Sequence, residues 1–360
     1  MLHPQELSTS QIGLALSQAW GVQANMVVQR PTGADAGATV YQVIARDGAP
    51  WWLKCRRYAV DETVWKVLQY LRSQRGLDEI AAPQPTLEGA PALRMDGLQW
   101  TLFAYVEGQS GFESALSQAQ WRRLGAVLRQ VHDTPLPDDL RAGLAQPHFD
   151  DDTAVERVGA WLHRTDARWP VRDDLAAQFL RAWQQHRPRI GEVWQRCAQL
   201  RERLQGRAWA RVLCHGDLHA GNLLLRADQG LCLIDWDDML LAPRERDLMF
   251  VGAGVGGRWG RDDPPGFGEG YGEVSIDFER LAYYRHWRIL HDVQEFHDVL
   301  LEPGAASRPP AQRRQALRYM EEQFAPGNVV DSAARSWMAA TGQAGQRHPK
   351  GGCRATVIGG

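Results

Sequence analysis

LCHGDLHAGNLLLRADQGLCLIDWDD, residues 213–238, interrupts an otherwise helical region with two short apolar runs and gathers polar residues around them. Asp217 and Asn222 stand five apart, and Asp235 follows Asn222 by thirteen. The intervening LLLRADQGLCLID sets two apolar runs around a turn with Gly230, which predicts a hairpin. Such a hairpin carries the chain out from Asn222 and returns Asp235 beside it. One site would then hold a carboxylate and an amide oxygen, hard donors of the kind that magnesium prefers.

Upstream of this stretch, ANMVVQR (24–30), TVYQVIA (39–45) and WWLKC (51–55) are β-branched or aromatic runs separated by turn residues, including Asp47-Gly48, and read as a strand meander. An amphipathic helix is expected from Asp61 to about Ser73, with Val64, Val67, Leu68 and Leu71 on one face, Asp61 as cap and Gly76 beyond. Strands are expected over 92–95 and 98–106, and the first unit over residues 1–107. From Ser117 the period becomes helical. Helices are expected near 117–133, 153–162, 174–185, 190–204, 278–300 and 310–324, so that 108–330 forms a mostly helical second unit and 331–360 a largely disordered tail. The fold class is α+β, with a small antiparallel sheet carrying one helix beside a larger helical region.

Composition narrows the functions. A chain of 360 residues, 44% hydrophobic and 23% charged, predicts about two globular units and excludes dominant disorder. A net charge of −2 lacks the basic surface of a duplex-binding protein. No run of apolar residues is long enough to span a membrane and the N-terminus lacks a signal core, so a cytoplasmic protein is expected, monomeric or weakly dimeric. The five cysteines form no C-x-x-C pair and read as buried thiols. Lysine occurs only at 54, 66 and 350 among 41 basic residues. Lys54 closes the third strand of a chain that uses arginine almost everywhere, which singles it out as a position wanting a compact ammonium.

Phosphoryl transfer from a nucleotide needs a group that orients the acceptor hydroxyl, oxygen ligands for Mg²⁺ and a cation on the phosphates. Asp217 and Asn222, with His215 two before the aspartate, match the frame of the protein-kinase loop H-R-D-x-x-x-x-N. HGDLHAGN followed by LIDWDD resembles the aminoglycoside phosphotransferases and related small-molecule kinases. More narrowly, IDWDDMLLAPRERDLMFVGAGVGG, EGQSGFE with WRRLGAVL, and EGYGEVSID with YYRHWRI resemble the spectinomycin phosphotransferase group, which modifies the 9-hydroxyl. The resemblance spans about residues 20–330 and implies a two-lobed kinase-like fold. It implies Asp217 as the catalytic aspartate, Asn222 and Asp235 as Mg²⁺ ligands, Lys54 on the phosphates, and ATP or GTP as donor. The base is expected against the backbone near Phe103, Tyr105 and Val106.

A cationic acceptor calls for carboxylates around a hydroxyl-sized gap; Asp237, Asp238, Glu113, Asp292 and Glu295 are candidates, each otherwise an ordinary surface acid. Asp247 and Arg244 are expected to pair beneath the loop. The expected nucleotide loop, RPTGADAGATV, has Gly33 and Gly37 but does not spell G-x-G-x-x-G, and the Gly-rich VGAGVGGRWG lacks the βαβ context of a dinucleotide loop. Trp236-Asp237 replaces the Phe-Gly of regulated kinases. Glu62 points away from the apolar stripe of its helix, which leaves Lys54 without an assigned partner. Other readings are a metallohydrolase built on His215, Asp217 and His219, a catalytically silent kinase-fold binding protein, and a kinase acting on choline-like, sugar or protein hydroxyls. The first lacks a second histidine cluster, and the second predicts erosion of Lys54, Asp217, Asn222 or Asp235, all of which are present.

Overall fold

A computed structural model describes residues 7–30, 37–147, 152–164, 169, 171–252 and 264–342. The chain opens with helix α1 (Thr9–Trp20), then strands β1 (Ala24–Arg30), β2 (Ala38–Ala45) and β3 (Pro50–Arg56), helix α2 (Glu62–Arg75), and strands β4 (Pro83–Gln84), β5 (Leu93–Met95) and β6 (Leu98–Ala104). The strands form one antiparallel sheet in the order β1-β2-β3-β6-β4, with β5 on β6. Asp61 caps α2 through the Thr63 N–H, and Gly76 ends it in the left-handed conformation, as the sequence predicts.

The period of two along β3 and β6 separates two jobs. Leu53, Cys55, Trp100 and Leu102 point to one face and pack with Ile12, Leu16 and Trp20 of α1. Trp52, Lys54 and Arg56 alternate with them and pair across the sheet with Phe103, Thr101 and Gln99. That second face meets α2, whose Trp65 lies edge-on to Phe103.

The second lobe contains β7 (Gln109–Ser110), α3 (Gln118–His132), α4 (Asp138–Ala142), α5 (Thr153–His163), α6 (Asp174–Leu204), β8 (Val212–Cys214), β9 (Leu223–Leu225), β10 (Leu231–Leu233), β11 (Leu240–Ala242), α7 (Glu245–Leu248), α8 (Phe267–Tyr271), α9 (Phe278–Leu300), α10 (Pro310–Glu322) and α11 (Val329–Ala340). The two-lobed α+β architecture is the one the sequence predicts. Its core is α6 against α9, with Phe179, Trp183, Ile190 and Leu200 meeting Ile289, Leu290 and Val293.

Two expectations need correction. Residues 174–204 form one helix that runs through Pro188, not two helices. Proline removes one helical hydrogen bond, but the buried Trp183 and Ile190 on either side anchor both halves to the same core. Residues 331–360 are not a disordered tail throughout, because α11 covers 329–340. It buries Val330, Ser332, Ala333 and Ser336, and the Arg285 guanidinium of α9 donates to Ser336 Oγ at 2.6 Å. Residues 343–360 lie outside the described residues, as do Gly33, most of VGAGVGGRWG and Cys353. The other four cysteines are buried and free, as expected.

Candidate active site

The central loop follows from its ends. β8 pairs with β11 and β9 with β10, so residues 215–222 and 234–239 leave neighbouring ladders at one edge. The predicted hairpin is present, with Leu223 opposite Leu233, and the Ile234 N–H donates to the Asn222 carbonyl at 3.0 Å. Asp235, the next residue, has φ 61° and Gly216 has φ 89°. A Cβ on Gly216 would lie 2.1 Å from the Asp238 carbonyl oxygen, so glycine is required there twice over.

Buried Asp247 holds the loop from beneath. Its carboxylate accepts the N–H groups of His215 and Gly216, each at 2.8 Å, and faces His132 Nε2 at 3.1 Å. These partners replace the expected Arg244: they are the loop backbone and a histidine of α3, and they satisfy donors that burial would otherwise leave unpaired. Burial opposes the Asp247 charge, but His132 and the loop N–H groups outweigh it and hold the carboxyl below its ordinary range. His215 Nε2 lies 2.9 Å from the Ile234 carbonyl, which places its proton there and leaves Nδ1 to accept the Asp217 N–H. The Asn222 side-chain nitrogen donates to the Asp217 carbonyl at 2.8 Å, which turns its amide oxygen the other way.

Asp217 itself faces Arg288 of α9 through Oδ1 and His219 Nε2 through Oδ2, the latter at 3.4 Å. Burial works against its charge, but Arg288 and then His219 override it and place the carboxyl far below the usual carboxylate range. Burial draws the His219 pKa down against the pull of Asp217, and its ring stacks on Phe112 with centroids 5.3 Å apart. Arg288 also donates to Asp292 at 2.7 Å and lies 5.3 Å from the Phe250 ring.

Lys54 reaches across from β3. Its Nζ lies 2.7 Å from Asp235 Oδ1 and 2.9 Å from Asp237 Oδ2, so its partners come from the helical lobe, while Glu62 is exposed. Arg56, two residues on and 1% exposed, grips the same Asp237 with Nε at 2.7 Å and Nη2 at 2.9 Å. Burial resists the Asp237 charge, yet Arg56 and Lys54 bring its carboxyl down to about 2. Lys54 and Arg56 thus meet Asp235 and Asp237 in one ionic cluster between the lobes, through pairs 181 to 183 residues apart in the sequence.

The acceptor candidates separate. Asp237 is committed to Lys54 and Arg56 and is not free for an acceptor amine. Asp292 is buried against Arg288, where burial pushes its carboxyl up to about 7, and so acts on the site only through that guanidinium. Asp238 is exposed in the cleft, and desolvation followed by the Asp217 charge raises its pKa. Glu113 is exposed on the loop that follows β7. Phe103 lies one residue before the end of β6, and the Tyr105 ring stacks on Trp52 at 5.4 Å, with Val106 half-buried beside it.

Sequence reasoning missed Arg56, Arg288 and His132. Arg56 was within reach, since it shares the Lys54 face by the period of two. Arg288 stands four before Asp292 on a helix, an i,i+4 pair.

Residues 28–288 match the phosphotransferase enzyme family. The chain belongs to that family. It is a nucleotide-dependent O-phosphotransferase of the aminoglycoside phosphotransferase type. The phosphotransferase superposes on the crystal structure of spectinomycin phosphotransferase APH(9)-Ia in complex with ADP and spectinomycin with a TM-score of 0.83, at 31% identity, over 92% of this chain and 99% of that one. The AMP-bound complex of APH(9)-Ia gives 0.77 at 29% identity, over 91% and 98%. The amicoumacin kinase hAmiN, solved with AMP-PNP, Ca²⁺ and Ami, shares the fold at a TM-score of 0.57 and 16% identity, over 91% and 94%. No curated protein matches the sequence.

Proposed function

We propose that this phosphotransferase moves the γ-phosphoryl group of ATP or GTP to a hydroxyl of an aminocyclitol, spectinomycin being the acceptor to test first. The observation that carries the reaction class is the meeting of Asp217, Asn222, Asp235 and Lys54 at one cleft, three from the helical lobe and one from the sheet. The acceptor class rests on the 31% identity and near-complete coverage shared with APH(9)-Ia.

In this reading the base lies against the backbone at Phe103, Tyr105 and Val106, and Lys54 engages the phosphates. The donor set fits Mg²⁺, since Asp235 is open to solvent and Asn222 has its nitrogen committed to the Asp217 carbonyl, leaving the oxygen for a cation. When bound, Mg²⁺ neutralises charge on the phosphate oxygens. Asp217 orients the acceptor hydroxyl. As the acceptor oxygen bonds to the γ-phosphorus and the bond to the β-phosphate bridge breaks, the hydroxyl proton passes to Asp217. Its low pKa makes Asp217 a weak base, which suits a loose transition state in which the proton leaves late and positioning supplies most of the acceleration. Asp238 and Glu113 stand as carboxylates for a cationic acceptor. Arg288 limits where that acceptor's amines sit, because its guanidinium already lies against Asp217.

The test is a panel of purified-protein reactions with γ-labelled ATP or GTP and spectinomycin, other aminocyclitols, choline or casein. Label on spectinomycin supports the reading. Label on choline or casein alone moves the acceptor class, and a chain that binds nucleotide but labels nothing supports the silent binding protein.

A further inference from the structure

The Lys54 ammonium serves two carboxylates, Asp235 and Asp237, and Asp237 has a second cation in Arg56. Asp237 receives both arms of the Arg56 fork, a bidentate pair that is among the stronger geometries available to a carboxylate. Arg56 is itself immobilised: Nη1 donates to Thr101 Oγ1 at 2.6 Å, and its guanidinium carbon lies 5.0 Å from the Trp65 ring centroid. With 1% of its surface exposed, it is placed to hold a carboxylate and not to reach a ligand. The Asp237 side chain is 12% exposed, and so is that of Lys54. An enclosed carboxylate left without a cation is costly. The Tyr58 hydroxyl also donates to Asp237 at 3.2 Å but carries no charge, so were Lys54 its only cation, any phosphate drawing Lys54 away would leave Asp237 without a countercharge.

We propose that Arg56 is a positioning residue that neutralises Asp237, so that Lys54 can leave that carboxylate for nucleotide phosphates. The inference rests on the assignment of Lys54 to the phosphates and extends it to a residue that touches no ligand. Without Arg56, Asp237 captures Lys54, and nucleotide must compete with a buried ion pair. With both Arg56 and Asp237 neutral, Lys54 is released again.

The experiment is calorimetric titration of folded protein with ATP and, separately, GTP, for the wild type and for Arg56→Met, Arg56→Lys, Arg56→Met/Asp237→Asn and Lys54→Met. Arg56→Met weakens nucleotide at least ten-fold, Arg56→Lys falls between it and the wild type, and the double variant returns to within about three-fold of the wild type. A merely structural arginine would not be rescued by removing the charge it pairs with. An Arg56→Met protein that binds within two-fold of the wild type overturns the inference, as does a folded double variant that remains ten-fold weak. Should Arg56→Met not fold, the double variant alone decides by the same limits. Lys54→Met separates the two layers: wild-type affinity in that variant removes the phosphate assignment itself, whatever Arg56 does.

Discussion

Replacing Asp247 by alanine removes the acceptor for three donors at once: the N–H groups of His215 and Gly216 at 2.8 Å and the His132 ring at 3.1 Å. The Asp247 and His132 side chains are both fully buried, so water does not replace the lost carboxylate without opening the loop. An unsatisfied buried donor costs about 1–3 kcal/mol. Three such donors, less the relief of no longer burying a charge, give a loss on the order of 3–5 kcal/mol, a large share of the ~5–15 kcal/mol that holds a domain together. Asp247→Asn does not restore it, because the amide turns an N–H₂ toward one of the same donors. Urea denaturation of both variants measures the loss. Single-turnover transfer measures a second effect, since the freed N–H groups belong to the loop that carries Asp217: transfer falls more than nucleotide affinity. Asp247→Ala with a stability loss under about 1 kcal/mol and unchanged transfer would refute the argument that this carboxylate sets the loop.

Acid should act through the same residue. The folded pKa of Asp247 lies below its unfolded value, so its contribution is present above about pH 4 and is lost as pH falls through the folded pKa; the acid limb of a stability profile is shallower in Asp247→Ala. Asp292 has the opposite sign, with a folded pKa of about 7, so its contribution is full below about pH 4 and declines as pH rises toward 7. Thermal melts from pH 5 to 8.5 should therefore show Asp292→Asn gaining on the wild type as pH rises, and a gap constant with pH would contradict this. Gly216→Ala drives a Cβ into the Asp238 carbonyl and displaces the loop; a shift near 1 Å costs about 100-fold in kcat, with nucleotide affinity held within a few-fold by titration. Gly270→Ala places a Cβ 1.8 Å from the Arg122 carbonyl at the crossing of α3 and α8. It should lower stability by about 1–3 kcal/mol, read by urea denaturation.

What was legible in the sequence was local. Asp61 before the Val64, Val67, Leu68 and Leu71 stripe announced α2 and its cap, and two apolar runs around Gly230 announced the hairpin that sets Asn222 beside Asp235. The ionic partners were not legible, because Arg56 and Asp237 or Arg288 and Asp217 are joined only when the lobes and α9 pack, and no spacing rule reaches across 181 or 71 residues. α11 was hidden for a different reason. Its buried face includes Ser332 and Ser336, small polar residues; the Ser336 hydroxyl donates to the Ser332 carbonyl and accepts from Arg285, and the Ser332 hydroxyl accepts from Arg335, so the apolar period is diluted just where the helix packs. Pro188 misled in the opposite direction, since a local rule about helix ends yielded to tertiary anchoring on both sides.

The measurement that bears most directly on the proposed chemistry is transfer of γ-labelled phosphate to spectinomycin by the wild type and by Asp217→Asn, with nucleotide affinity measured on both. The wild type should label spectinomycin, and Asp217→Asn should lose transfer while binding nucleotide within a few-fold of the wild type. Near-normal turnover in Asp217→Asn would contradict the role given to this carboxylate.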